Sequence, residues 1–263
     1  MPRKREPVVF AAVGDVHGSH HAMVRLLGEW EKRQRQSLSF VLQVGDFEPV
    51  RDALDLASMP VPEKYRKLGD FADFHEDRAE FPWPVWFVAG NHEPFAFLAS
   101  MVRGGQAARN CYYLGRGGQR DIDGVRVAHL GGISPPDGPL DRAQGRVWKN
   151  HAYFTEREVE RAMAGGRAEI VLLHEWPRGA ASPGEVRGQR RAGGPQGPGN
   201  DSARLLVDLL EPRLVLAGHR HWPHRSRLSE RTQFVGLAHI DKGPDAFAVF
   251  RRGENGEIVE VTG

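Results

Sequence analysis

The chain has 263 residues, 40% of them hydrophobic, enough to bury a sizeable core in one α/β domain spanning 1–263. Its 36 Lys and Arg against 34 Asp and Glu leave a formal charge of +2, which suits a polyanionic ligand but is far from a dedicated nucleic-acid-binding composition. Cys111 is the single cysteine, so an intramolecular disulfide is excluded, the expected compartment is the reducing cytoplasm, and the thiol reads as buried.

In chain order, Val8–Gly18 (VVFAAVGDVHG) reads as a short apolar strand ending in Gly14-Asp15 and His17. Its apolar run is too short for a signal-peptide core or a membrane span, so no membrane partner is expected. Ser19–Gln34 carries Met23, Leu26, Leu27 and Trp30 at i, i+3, i+4 and i+7, an amphipathic helix returning to a second strand. That strand, Phe40–Phe47 (FVLQVGDF), is the centre of the pattern because it delivers Asp46 at its C-terminal tip.

Residues 48–84 read as an insertion between Pro-rich hinges, with Tyr65, Phe71 and Phe74 as the core of a lid over the site mouth. Val85–Glu93 (VWFVAGNHE) repeats the strand-to-polar-tip pattern and is followed by a short helix, Phe95–Met101. Asn110–Leu114 and Val125–Gly131 read as strands of a second sheet, and Thr155-Glu156-Arg157-Glu158 as a capping box opening a helix through Met163. Ile170–Glu175 ends in His174. Arg178–Gly199, rich in Gly and Pro and bearing Arg187, Arg190 and Arg191, reads as a mobile loop. Asn200 or Asp201 caps a helix with Leu205, Leu206, Leu209 and Leu210 on one side, and Leu214–His221 ends in Gly218-His219-Arg220-His221. Thr232–Leu237 and Ala246–Arg251 read as closing strands.

In open α/β sheets ligands bind beyond the carboxyl ends of the strands. Five such ends here carry Asp15, His17, Asp46, Asn91, His92, His174, His219 and His221. Anionic oxygens together with neutral imidazoles are what two adjacent divalent cations need. His20, His21, His75, His151 and His224 read as surface residues, His129 as a satisfied strand histidine, and His239 as a strand-end residue outside the pattern.

The ordered set Gly14-Asp15-Val16-His17-Gly18, Gly45-Asp46, Gly90-Asn91-His92-Glu93, His174 and Gly218-His219-Arg220-His221 resembles the calcineurin-like metallophosphoesterases over nearly the whole chain. That resemblance implies an α/β fold in which two mixed β-sheets pack as a sandwich flanked by helices. It also implies two divalent metal ions, with manganese, iron and zinc all open. Asp15, His17, Asp46 and His221 would hold one ion, and Asp46, Asn91, His174 and His219 the other. A hydroxide bridging the ions would attack phosphorus in line. His92 would be the general acid or transition-state stabiliser, with Glu93 orienting its ring.

Within that superfamily the middle motif, Gly45-Asp46-Phe47-Glu48-Pro49-Val50-Arg51, lacks the Asp-Arg-Gly of the serine/threonine protein phosphatases. It is more similar to the RNA lariat-debranching enzymes, as are the segment Met59–Arg66, Cys111-Tyr112-Tyr113-Leu114-Gly115, Leu130-Gly131-Gly132-Ile133-Ser134 and His174-Glu175-Trp176-Pro177. Two departures stand out: Asp15 where many debranching enzymes have Cys, and a compact Pro135–Asn150 where that branch has a longer RNA-contacting stretch. The resemblance therefore implies a phosphoester substrate, RNA or a nucleotide, cleaved by a phosphodiesterase. A phosphomonoesterase, a small-nucleotide phosphodiesterase and a non-catalytic scaffold are the alternatives, the last disfavoured because every ligand type is present. Oligomeric state is not legible.

Overall fold

The computed structural model describes residues 7–135, 148–191 and 199–261. The strands, in chain order, are β1 (Val8–Val13), β2 (Phe40–Gln43), β3 (Val85–Phe87), β4 (Gly105–Ala108), β5 (Cys111–Tyr113), β6 (Gly117–Ile122) and β7 (Val125–Leu130). They continue with β8 (Ile170–Leu173), β9 (Leu214–Ala217), β10 (His224–Arg227), β11 (Gln233–Gly236), β12 (Phe247–Arg252) and β13 (Ile258–Glu260). The α-helices are α1 (His20–Gln34), α2 (Ala53–Ala57), α3 (Phe71–His75), α4 (Phe95–Ala99), α5 (Glu156–Met163), α6 (Pro183–Arg191) and α7 (Asp201–Leu210).

Two mixed sheets result, ordered β13-β12-β1-β2-β3-β5-β4 and β10-β11-β9-β8-β7-β6. In each, the four inner strands run parallel and the outer ones antiparallel. The strand alternation explains the layering. Phe10 and Ala12 of β1 and Phe40 and Leu42 of β2 meet Val125, Ile170, Leu172 and Leu216 of the other sheet, while Val9, Ala11 and Val13 face Met23, Leu27 and Trp30 of α1. On the far side Val171, Leu173 and Val215 face Val159 of α5 and Leu206 of α7. Burial on both faces is why these strands are continuous apolar runs rather than alternating ones. The α/β sandwich flanked by helices is thus as expected, and Cys111 is buried, its thiol pushed well above the usual range by that burial.

Several expectations are corrected. β5 joins the first sheet, parallel to β3 with Val85 opposite Cys111, rather than a second sheet. Part of the supposed loop at 178–199 is helix α6. Ser182 and Glu185 cap it reciprocally, Ser182 N–H donating to the Glu185 carboxylate at 2.8 Å and Glu185 N–H to Ser182 Oγ at 3.3 Å, with Pro183 in the first turn where no N–H is needed. Residues 192–198 and the side chains of Arg190 and Arg191 lie outside the described residues, as does the Tyr65 side chain. Helix α7 buries Ala203, Leu206, Val207 and Leu210, leaving Leu205 and Leu209 exposed, and Asn200 is its cap, accepting from Ala203 N–H at 2.8 Å.

The insertion is ordered by its own helices α2 and α3. Phe71, Phe74 and Phe81 enter the main core around His20, which is fully buried rather than on the surface. Asp70 ties this segment to α1, accepting from the backbone N–H of His20 at 2.7 Å and from its Nδ1 at 2.9 Å. A carboxylate at a helix N-terminus satisfies donors that have no partner within the helix. No helix among the described residues is long and apolar enough to cross a membrane.

Candidate metal centre

The carboxyl ends of β1, β2, β3, β8 and β9 meet at one edge of the sandwich. Buried Gln43 clamps two of these tips: its Nε2 donates to the carbonyls of Gly14 (3.0 Å) and Gly45 (2.7 Å), and its Oε1 accepts from Gly45 N–H. The Asp46 carbonyl then accepts from both Val16 N–H (3.0 Å) and His17 N–H (2.9 Å). Close approach explains the glycines. A side chain at Gly90 would fall 2.1 Å from Asp46 Oδ1, and one at Gly218 2.0 Å from Asp15 Oδ1. Backbone strain concentrates here as well: His17, Asp46, Glu48, His219 and His221 all have positive φ, between 44° and 66°. Left-handed backbone costs a non-glycine residue about 1–2 kcal/mol and persists only where surrounding structure enforces it.

Two overlapping groups of donors form. In the first, ligand-type atoms of Asp15, His17, Asp46 and His221 all lie within 4.8 Å of one another. His221 Nε2 is 2.9 Å from Asp15 Oδ2 and 3.3 Å from His17 Nε2, which is 3.7 Å from Asp46 Oδ2. His17 Nδ1 lies 2.7 Å from Glu48 Oε1, an acceptor, so Nδ1 carries a proton and Nε2 points at the cluster. Burial opposes protonation of His17, but the Glu48 hydrogen bond and the charges of Asp46, Glu48 and Asp15 overcome it and hold the pKa up at about 10. The same acceptors that attract this proton would attract a divalent cation in its place.

The second group is Asp46, His174 and His219, again within 4.8 Å, with Asn91 beside it. His174 Nδ1 is 2.9 Å from the Val44 carbonyl oxygen, an acceptor, so Nδ1 carries a proton and Nε2 is the atom turned toward the cluster. Nε2 faces Asn91 Oδ1 at 3.0 Å, with the amide in this orientation, and Asp46 Oδ2 at 3.5 Å. Two oxygen acceptors facing one ring nitrogen call for positive charge at that point, a proton on Nε2 or a metal ion in its place, so the donor set fits a cation. Burial, and then the neighbouring His174, push His219 down to about 3, leaving it neutral as a ligand must be. Burial opposes ionisation of Asp46, but His174, His92, His17 and the backbone N–H of His92 (2.8 Å to Oδ1) hold it well below the usual range. Asp46 is the one residue common to both groups.

His92 is partly buried, its ring 5.4 Å from that of His17, outside both groups but grouped with His17 and Glu48. Glu93 does something other than expected. Its carboxylate accepts from the backbone N–H of Phe47 (3.1 Å), Glu48 (2.9 Å) and Gly90 (2.9 Å), bracing the tips of β2 and β3 rather than the His92 ring. Burial and the nearby Asp46 charge push its pKa up to about 8 against the pull of those donors.

Sequence reasoning missed Gln43 and Glu48, and left His239 outside the site. His239 stacks on His17 with ring centroids 4.9 Å apart and lies 5.2 Å from the His221 ring. His21 and His75 are on the surface as expected, but His151 and His224 are partly buried, the latter stacked on Trp176. His129 is not satisfied: its Nδ1 is buried without a hydrogen-bond partner, and burial pushes its pKa down to about 3.

Residues 8–223 match the calcineurin-like phosphoesterase family. The lariat debranching enzyme of Entamoeba histolytica is 29% identical over 247 residues, covering 88% of this chain and 68% of that protein. The lariat debranching enzymes of Caenorhabditis briggsae and Arabidopsis thaliana are each 28% identical, covering 88% and 80% of this chain but 51% and 54% of their own lengths. The chain thus spans about half the length of these two relatives. A dimetal phosphatase from Danio rerio, 16% identical, superposes with a TM-score of 0.54 over 98% of this chain and 99% of its own, which shows a shared fold. With the family match running through the strand tips from Asp15 to His221, the chain belongs to the calcineurin-like phosphoesterase family.

Proposed function

We propose that the protein is a binuclear metal-dependent phosphodiesterase acting on RNA or a nucleotide. The observation that carries this reading is the convergence of seven donors into two groups sharing Asp46. Asp15, His17, Asp46 and His221 are assigned to one cation, and Asp46, Asn91, His174 and His219 to the other. Two such cations would neutralise phosphoryl oxygens and supply a water-derived nucleophile at neutral pH. The chain's own groups do the rest. His92, beside the donors and outside both groups, gives a proton to the leaving oxygen as the P–O bond breaks. Glu48 holds the His17 tautomer, and Glu93 holds the loops that carry Asp46 and Asn91.

The debranching relatives support a diester of RNA as the substrate, and Asp15 adds a second anionic oxygen donor to the site, which supports the wider reading of a general phosphodiesterase. The compact Pro135–Asn150, where the debranching branch has a longer RNA-contacting stretch, lies largely outside the described residues. The test is a hydrolysis panel with added Mn²⁺: a phosphomonoester, a 3′,5′-diester, a 2′,5′-diester and a branched RNA. Faster cleavage of the 2′,5′ linkage and the branched RNA supports a debranching-type substrate. Cleavage of the monoester alone overturns the diester assignment.

A further inference from the structure

We propose that His239 is a positioning residue for His17, clamping the imidazole ring from the face that Glu48 does not reach. The inference rests on the reading of the Asp15, His17, Asp46 and His221 group as a metal site. Four side chains surround the His17 ring. Glu48 takes Nδ1 at 2.7 Å, His221 and His92 approach at steep angles with centroids 5.2 and 5.4 Å away, and His239 lies nearly parallel, 4.9 Å away at 23°. A hydrogen bond at one ring atom fixes where Nδ1 points but leaves the ring free to rock about that bond. A flat group stacked on the face removes that motion, and stacked aromatic pairs at this spacing are attractive.

His17 has reason to need the support, since its backbone sits at φ 44° and its side chain is 17% exposed. His239 can give it because its own loop is fixed. Ile240 N–H donates to the Asp15 carbonyl at 2.9 Å, and Ala238 N–H to that of Asp245 at 3.1 Å. A side chain at Gly14 would fall 1.9 Å from the Ala238 carbonyl oxygen, so the loop lies flush on the tip of β1. His239 Nδ1 accepts from Asp241 N–H at 3.1 Å, which holds the imidazole itself. Near-parallel rings do not converge on one point, and His239 belongs to none of the ligand groups found among the described residues. It is placed as a wall, not a donor.

The experiment compares wild type, His239→Ala and His239→Phe of the full chain in a Mn²⁺ titration, free Mn²⁺ being read by electron paramagnetic resonance, with kcat and KM for a chromogenic diester alongside. In His239→Ala one of two Mn²⁺ ions should weaken roughly 10-fold, the lower end of what loss of an outer partner costs, with kcat reduced and KM unchanged. His239→Phe keeps a flat ring and should restore binding to within about threefold of wild type. Two Mn²⁺ bound by His239→Ala as tightly as by wild type would overturn the inference. So would equal weakening in both variants, which would mean a polar role. Wild type that binds no Mn²⁺ removes the metal-site reading itself and the inference with it, and is told apart from the other outcomes by the wild-type titration alone.

Discussion

The two halves of the site are built from the same residue types and yet are opposite in character. The Asp15 half holds two carboxylates and opens to water, His221 being 44% and His17 17% exposed at the side chain, and it draws a proton onto His17 so strongly that the pKa stands at about 10. The His174 half has only the shared carboxylate of Asp46, its His174 is fully buried, and burial drives His219 down to about 3. One half concentrates negative charge around an exposed imidazole, and the other sets a single carboxylate among more deeply buried nitrogen donors. A cation in the first would be held by the carboxylates of Asp15 and Asp46, whereas one in the second would depend on Asp46 for its only full charge.

Removing that shared charge tests the comparison most severely. Asp46→Asn should empty both halves together and lower turnover by more than about 100-fold, beyond what loss of an outer partner costs. Metal analysis by mass spectrometry of the purified variant checks it, and full occupancy with full activity would break the assignment. His92→Ala comes next. Because His92 lies outside both groups, both metals should stay while turnover on an alkyl or nucleoside diester falls roughly 10²–10⁴-fold. The loss should be smaller for a nitrophenolate leaving group, which needs no proton. An equal loss on both would favour electrostatic stabilisation over proton donation.

Glu48→Gln is aimed at one half only. The neutral amide can still hydrogen-bond His17 but no longer supports positive charge there, so affinity for the metal of the Asp15 half should fall about 10–100-fold. The His174 half, which Glu48 does not touch, should bind as before. Calorimetric titration that shows both metals weakened equally would mean the halves are not separable.

What the sequence made legible follows from how these strands are buried. A strand covered on both faces must be a short apolar run, so the place where it stops, at Gly followed by Asp, Asn or His in four of the five, stands out, and the seven candidate donors are legible at those ends. Glu48, Gln43 and His239 carry no such mark. Their roles exist only because the tip of β2 folds beside β1 and the loop after β11 lies on Gly14, contacts between residues far apart in the chain. The same holds for β5, whose sheet is decided by pairing with β3 and not by its own three residues. Two misreadings were avoidable. Ser182-Pro183-Gly184-Glu185 is a helix-start signal hidden among glycines and prolines, and on α7 the stripe Ala203, Leu206, Val207, Leu210 has the spacing i, i+3, i+4, i+7 that Leu205 and Leu209 break.

The smallest expected effect is on the stability of the metal-free protein against pH, where the two halves should pull in opposite directions. His17 has a folded pKa of about 10 against 6.5 for the free side chain, so between those values the folded state binds more protons than the unfolded one. Its contribution is fully present below pH 6.5 and is lost as pH rises through 10. His219 is the reverse: with a folded pKa of about 3 the folded state binds fewer protons between 3 and 6.5, and stability is lost as pH falls through that range. Glu93, raised to about 8, has the sign of His17 between 4.5 and 8 and partly offsets His219 below 6.5. The alkaline window from pH 8 to 10 is therefore the cleaner one for His17. Urea unfolding of metal-free wild type and His17→Gln across that window should show a gap that shrinks as pH rises, by a few kcal/mol at most in order of magnitude. His219→Gln against wild type should show a gap that shrinks as pH falls from 6.5 toward 3. Calorimetry in buffers of different ionisation enthalpy completes the test, because Mn²⁺ entering the Asp15 half at pH 8 must displace the His17 proton, whereas entry into the His174 half displaces none from His219. Parallel pH slopes in the two variants, or no proton released, would mean that the two halves are electrostatically alike.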